Sequence, residues 1–179
     1  MDRPYRSRKY ANDLTVEAIL LLSKKPFFNE LNFTIVGDGA LFDDCNKDLL
    51  NFENVILRKE FLTHNEIVEL HKQHGIFLNP TRWDSQGISR DEAMASGLVA
   101  ITNNLDAVSE FCDESCAMLV PIESAEAIAD AIEKLYYNPD LFLQLSKAGA
   151  ERVRTQSNFN NTIQREIDLI NQFRNGNTP

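Results

Sequence analysis

The residues best placed to do chemistry run from Asp84 through Ser85, Gln86, Gly87, Ile88, Ser89, Arg90 and Asp91 to Glu92. Two carboxylates stand eight positions apart, the first in a loop and the second inside the helix that follows. Gly87 falls where that helix begins. The first N–H groups of a helix have no carbonyl partner within it, and the helix dipole is positive at that end. Such a start is a ready site for phosphate or another anion. Each residue also has a plainer reading. Ser89-x-x-Glu92 has the spacing of a capping box, so Glu92 could serve only its own helix. Asp84 is a common turn residue. Paired carboxylates also hydrolyse glycosides, but sequence spacing gives no separation between them and shows no further acid–base partner.

An anion site matters because the chain as a whole repels anions. Its 179 residues carry 18 Lys+Arg against 27 Asp+Glu, a formal net charge of −9. That balance argues against a nucleic-acid backbone or an anionic membrane as the main partner. Any phosphate must therefore meet a local positive site. The densest basic cluster is Arg3, Arg6, Arg8 and Lys9. It reads either as a solvated terminus or as guanidinium forks that pair with phosphate oxygens after a lost or very short first strand. His71-x-x-His74 reads as a solvated helix face. With Cys45, Cys112 and Cys116 the histidines make no zinc spacing. Three sparse cysteines suit reduced thiols, the apolar runs are too short to span a membrane, and no secretory signal opens the chain. A cytosolic setting is expected.

The elements that must position these groups alternate regularly. Apolar runs at Phe33–Val36, Asn54–Arg58, Gly75–Pro80, Leu98–Thr102 and Ala117–Val120 read as buried strands. Helical patterns lie between them: Leu14 to Leu22, a capping box at Thr63-x-x-Glu66, and a helix through Glu92 that Gly97 ends. Ala125 to Tyr136 repeats at i, i+3, i+4 and i+7. Asn138-Pro139 breaks that helix and starts another, and Phe159, Ile163, Ile167 and Ile170 stripe a last one that frays at Gly176. Strand–helix alternation predicts an α/β fold, a Rossmann-like parallel sheet of about five to six strands with helices on both faces. Ligands then sit beyond the carboxyl ends of the strands, in the loops at Gly37-Asp38-Gly39, Arg58-Lys59-Glu60, Asn79 to Gly87, and Thr102 to Asp106. Gly37-Asp38-Gly39 is not a dinucleotide fingerprint, since no third glycine follows at the needed spacing. It is a strand-to-helix turn, or a place where glycine lets backbone approach a nucleotide.

Ile35-Val36-Gly37-Asp38-Gly39, Asn79-Pro80-Thr81, Asp84 to Ala95 and Ser96-Gly97-Leu98-Val99 come in an order and spacing that resembles the carboxy-terminal half of family 4 glycosyltransferases. Glu110, Leu119-Val120-Pro121, Ala125 to Leu135 and Pro139 extend the resemblance over nearly the whole chain. It implies the GT-B fold, two Rossmann-like domains facing across a cleft, of which this half binds the nucleotide-sugar donor. It implies that Glu92 hydrogen-bonds the ribose. Asp84 stands where the family has a longer glutamate that holds sugar hydroxyls. Gln86, Gly87 and Ile88 match the segment whose amides meet sugar and diphosphate. Arg3 and Arg8 match the family's Arg and Lys, five residues apart, although Lys9 replaces the usual glycine. Asp106 and Ala107 replace a frequent glycine pair ahead of Glu110.

The expected site is therefore Asp84, Glu92, Arg3 and Arg8 for catalysis, with Gly37, Gly39, Arg58, Ser85, Gln86, Gly87, Ile88, Glu92 and Glu110 on the donor. The resemblance also implies retention of anomeric configuration, no metal and no cofactor, the nucleotide sugar being a substrate. The expected partners are a nucleoside-diphosphate sugar and a glycan or lipid-linked acceptor, with no nucleic acid. Residues 1–179 are expected to form one donor domain, its final helices at about 139–173. The acceptor half is expected to be absent, and with it any peripheral membrane association and most turnover. A sugar-nucleotide epimerase of the same fold and a non-catalytic Rossmann-like subunit stay open as alternatives.

Overall fold

A computed structural model describes residues 4–83 and 86–174. The elements follow the expected alternation: α1 (Asn12–Leu22), β1 (Phe33–Gly37), α2 (Phe42–Asn46), β2 (Val55–Lys59), α3 (His64–His71), β3 (Ile76–Asn79), α4 (Ile88–Ala95), β4 (Val99–Asn103), α5 (Asp106–Ser109), β5 (Met118–Val120), α6 (Ala125–Tyr137), α7 (Pro139–Gln156) and α8 (Phe159–Arg174). Every strand pair is parallel, as helical crossovers require. β1 pairs β2 with Ile35 opposite Leu57. β4 lies between β3 and β5, with Phe77 opposite Ala100 and Thr102 opposite Leu119. The five strands thus form ladders of two and three, where the sequence suggested one sheet.

Local chemistry explains most boundaries. Thr63 and Glu66 close a reciprocal capping box on α3, with the Thr63 N–H donating to the Glu66 carboxylate at 2.8 Å. Ser124 accepts from the Ala127 N–H at the start of α6. Pro139 occupies the first turn of α7, where its missing N–H costs nothing. β4 is buried along its whole length, the pattern of a central parallel strand. Its polar members are satisfied: Thr102 donates to the Asn79 carbonyl, and Asn103 accepts from the Thr81 N–H and donates to the Pro121 carbonyl.

The main core joins α1, through Leu14, Val16, Ala18, Ile19 and Leu22, to β1 and to Ile128, Ile132 and Leu135 of α6. Each such aliphatic side chain contributes about 1.5–3 kcal/mol on burial. A second cluster gathers Met94, Ala100, Val108, Cys112, Cys116 and Ala117. The three cysteines are free thiols, as expected. Burial pushes the Cys112 thiol up to about 11, so it packs as a small apolar group.

Two readings need correction. His71 and His74 do not lie on a solvated face. His71 is buried, edge-on to Phe77, with Nδ1 3.2 Å from Ser96 Oγ. His74 is half-buried and bridges the Leu70 carbonyl and Thr34 Oγ1 at 2.9 and 3.1 Å. Ser89 does not cap α4. The cap is Gly87, in the left-handed region at φ 75°, and Ser89 lies inside the first turn. No group of three or more His, Cys, Asp or Glu among the described residues could hold a metal, and no helix among them is long and apolar enough to cross a membrane. The stripe of α8 is exposed, Phe159 most of all; Gly176 lies outside the described residues.

Candidate active site

The carboxyl ends of the strands meet under one short segment, residues 5–10. At β1, the Tyr5 N–H donates to the Asp38 carbonyl and the Leu41 N–H to the Tyr5 carbonyl. Gly39 makes this possible. It sits at φ 145°, and a Cβ there would lie 2.5 Å from the Tyr5 backbone. The close approach that glycine allows is thus made by the chain's own backbone. The segment then crosses to the end of β3. There the Arg82 N–H donates to the Lys9 carbonyl at 2.8 Å, and Thr81 Oγ1 donates to the same carbonyl. A 3₁₀ turn over Arg8–Tyr10 ends at Ala11, a non-glycine residue at φ 48° that starts α1.

Arg82 holds this crossing in place. Its guanidinium reaches both carboxylate oxygens of Asp13, both of Glu123 and the carbonyl of Arg8, all within 3.0 Å. The Arg82 pKa is driven above its ordinary value, first by the Asp13 hydrogen bonds and then by those of Glu123. Arg82 is therefore engaged within the fold. Arg8 is exposed, and its side chain makes no ion pair among the described residues. Burial pushes the Asp13 carboxyl up, but the Arg82 guanidinium outweighs it and holds the carboxyl below the usual range, with the charge of Arg8 adding a smaller lowering.

The start of α4 faces the same end of the sheet. The Arg90 and Asp91 N–H groups both donate to the Gly87 carbonyl, so the amides of residues 87–89 precede the first helical bonds. Beneath the turn, the Arg90 guanidinium is completely buried. It donates to the Gln86 carbonyl and to Asp91, and packs 5.9 Å from the centre of the Phe111 ring. A Cβ on Gly87 would stand 3.1 Å from its Nη1. Glu92 lies one turn into α4, partly exposed. It does not bond its own helix start; its Oε1 is 3.7 Å from Nε2 of His64 on α3.

The described members of the expected site divide into three groups. Arg8, Gly37, Gly39, Gln86, Gly87, Ile88 and Glu92 fall on the loops and helix starts at the carboxyl ends of β1 and β3. Arg58, at the end of β2, is held by Glu60 at 2.7 Å. Glu110 is exposed at the end of α5, its carbonyl accepting from Gln156. Arg3, Asp84 and Ser85 lie outside the described residues. Sequence reasoning included but gave no individual role to Arg82, the buried Arg90, the exposed Trp83, and Asn79, a buried amide whose side-chain atoms have no hydrogen-bond partner among the described residues. Trp83, the sole tryptophan in the chain, placed on a site loop, was the one available signal.

The sequence profile described as glycosyl transferases group 1 covers residues 4–138. The chain belongs to that family. No curated protein matches it. Among solved structures, the carboxy-terminal domain of the group 1 glycosyltransferase LpcC from Francisella tularensis superposes with TM-score 0.73 at 23% identity, covering 89% of this chain and 84% of that one. S. aureus TarM, solved as a mutant with fondaparinux, α-GlcNAc-glycerol and UDP, gives TM-score 0.79 at 20% identity, over 95% of this chain and 35% of that one. Anabaena HepE, solved with UDP and glucose, gives 0.79 at 13%, over 96% and 47%. The chain thus spans most of an isolated carboxy-terminal domain, and between a third and a half of the two longer chains. The expected GT-B carboxy-terminal half and α/β fold are borne out.

Proposed function

We propose that this group 1 glycosyltransferase chain is the donor-binding half of a retaining enzyme that transfers a hexosyl unit from a nucleoside-diphosphate sugar to a glycan or lipid-linked acceptor. The observation that carries the reading is the meeting of three features at one end of the sheet: the open start of α4 at Gly87, the exposed Arg8, and Glu92 one turn further on. In the reaction, the bond from the anomeric carbon to the diphosphate breaks as a bond to the acceptor hydroxyl oxygen forms, and the hydroxyl proton passes to the departing diphosphate. The leaving diphosphate gains negative charge. Fixed N–H groups at residues 87–89 and the Arg8 guanidinium stabilise that charge more in the transition state than in the bound donor, which lowers the barrier. Glu92 accepts from the ribose hydroxyls, and Asp84 with Ser85 orients the sugar. No metal takes part, the chain acts on the cytosolic side, and any peripheral membrane contact belongs to the acceptor half.

Titration calorimetry with UDP-, GDP- and ADP-sugars tests this directly. One base should bind, a chelator should leave its affinity unchanged, and Glu92→Ala should weaken it about tenfold, the scale of one charge-assisted hydrogen bond. Unchanged affinity in the variant contradicts the ribose role. Radiolabelled transfer by residues 1–179 alone should be poor, and robust turnover contradicts the division of labour.

A further inference from the structure

Arg90 carries a charge that the fold only half answers. Its guanidinium is wholly buried in the first turn of α4, and an arginine in a protein does not give up its proton. Buried charges are ordinarily paired, with their remaining donors hydrogen-bonded. Nη2 is served: it donates to the Gln86 carbonyl and, at 3.1 Å, to Asp91. Nε and Nη1 have no hydrogen-bond partner among the described residues. Asp91, the carboxylate that answers the charge, also accepts from the Gln86 side-chain amide at 3.4 Å.

The unserved side of the guanidinium faces the open helix start. A Cβ on Gly87 would stand 3.1 Å from Nη1, 3.2 Å from Cζ and 3.4 Å from Nη2, so the unpartnered Nη1 is the atom nearest that residue. Asn79, the last residue of β3, is a second buried side chain with unpartnered polar atoms at this edge of the sheet. It shares a strand face with Phe77, which clusters with Ala93 of α4. Polar groups left short of partners beneath a helix start cost stability, and negative charge brought to the turn offsets that cost.

We infer, on the donor-site reading above, that Arg90 is a positioning residue for the diphosphate. Through the Gln86 carbonyl it fixes the turn at Gly87, and it sets a full positive charge behind the amides there. A diphosphate on the outer face of the turn supplies the negative charge that Asp91 alone does not. The pair then has opposed roles: Arg90 draws the diphosphate to the turn, and Asp91 holds that attraction back.

The test titrates the 179-residue chain with UDP, GDP and ADP, each beside its nucleoside, by ligand-observed NMR. Asp91→Asn removes the counter-charge and should tighten diphosphate binding about threefold. Arg90→Met with Asp91→Asn removes both charges, so neither is left buried alone. That double variant should bind the diphosphate about tenfold more weakly than Asp91→Asn does, with nucleoside affinity unchanged. Arg90→Lys keeps the charge and should hold diphosphate affinity within about threefold of wild type. Weakened diphosphate binding in Asp91→Asn, or equal weakening of nucleoside and diphosphate, marks a merely structural pair and overturns the inference. If the double variant does not fold, Asp91→Asn and Arg90→Lys decide by the same comparisons. A wild type that binds none of the diphosphates overturns the donor assignment itself, and this role with it.

Discussion

Replacing Arg82 with Met keeps the aliphatic stem and deletes every hydrogen bond of the guanidinium. Two of the lost groups can be weighed. The forked pair with Asp13, at 2.9 and 3.0 Å, joins a largely covered cation to a half-exposed carboxylate, so it sits near the top of the range for surface pairs, about 1 kcal/mol. The bond to the Arg8 carbonyl at 2.8 Å contributes about 1 kcal/mol more. Glu123 is exposed and adds nothing to this figure. A loss of about 2 kcal/mol lowers the melting temperature of a domain this size by about 4–8 °C. The pH dependence is a sharper check. Burial alone raises the Asp13 pKa, but Arg82 outweighs it and holds the carboxyl low; Glu123 is held low by hydrogen bonding to the same guanidinium. Both folded values lie below the unfolded ones. Their stabilisation is therefore complete above about pH 4.5 and is lost as pH falls through the folded values. Calorimetric melting at pH 7 and pH 3 should show the gap between wild type and Arg82→Met shrinking in acid. A gap under about 1 °C at pH 7, or one that persists unchanged at pH 3, refutes the assignment of Arg82 as the clasp of the basic segment.

Gly39→Ala should destabilise by about 2 kcal/mol, because its Cβ would collide with the Tyr5 backbone at a positive φ; melting temperature reports it, and proteolysis should open the amino end first. Burial lowers the His71 pKa, so the unfolded state takes up its proton first and stability should fall as pH drops below about 6.5. His71→Asn should flatten the melting curve between pH 6.5 and 5, leaving the carboxylate-driven loss at lower pH. Arg8→Ala should weaken binding of whichever nucleotide sugar the wild type binds about fivefold or more at low salt, while Arg58→Ala, already engaged by Glu60, should leave it within twofold.

What the sequence revealed was what short stretches decide by themselves. Thr63-x-x-Glu66 and Asn138-Pro139 mark helix ends with groups a few residues apart, and both appear as read. The buried run of β4 needs only its own apolar residues. The capping-box reading of Ser89 failed because Gly87, two residues earlier, adopts a positive φ and starts the helix first. The histidines were misplaced because their partners are distant in sequence: Thr34 stands 40 residues from His74, and Ser96 stands 25 from His71. Arg82 was overlooked for the same reason, its carboxylates lying 69 and 41 residues away. The interruption between β1 and β3 depends on strand order, which no local pattern encodes.

The net charge of −9 bears on the site less than how its cations are engaged. At physiological salt, fields from charges more than about 8 Å away are largely screened, so a bound anion responds to its immediate neighbours. Near the strand ends, Lys59 is paired with Asp43, Arg58 with Glu60, and Arg82 with Asp13 and Glu123. Each of those pairs fixes a loop or helix start and leaves little charge for a ligand. Arg8 differs: among the described residues only its backbone is bound, through its carbonyl, and its guanidinium extends from a turn that Arg82 holds. Among the described residues, positive potential at this end of the sheet then comes from Arg8, with Arg6 and Lys9 of the same segment, and from the amides at Gly87 over the buried Arg90. Arginines added elsewhere on the surface would change the net charge without reproducing that geometry.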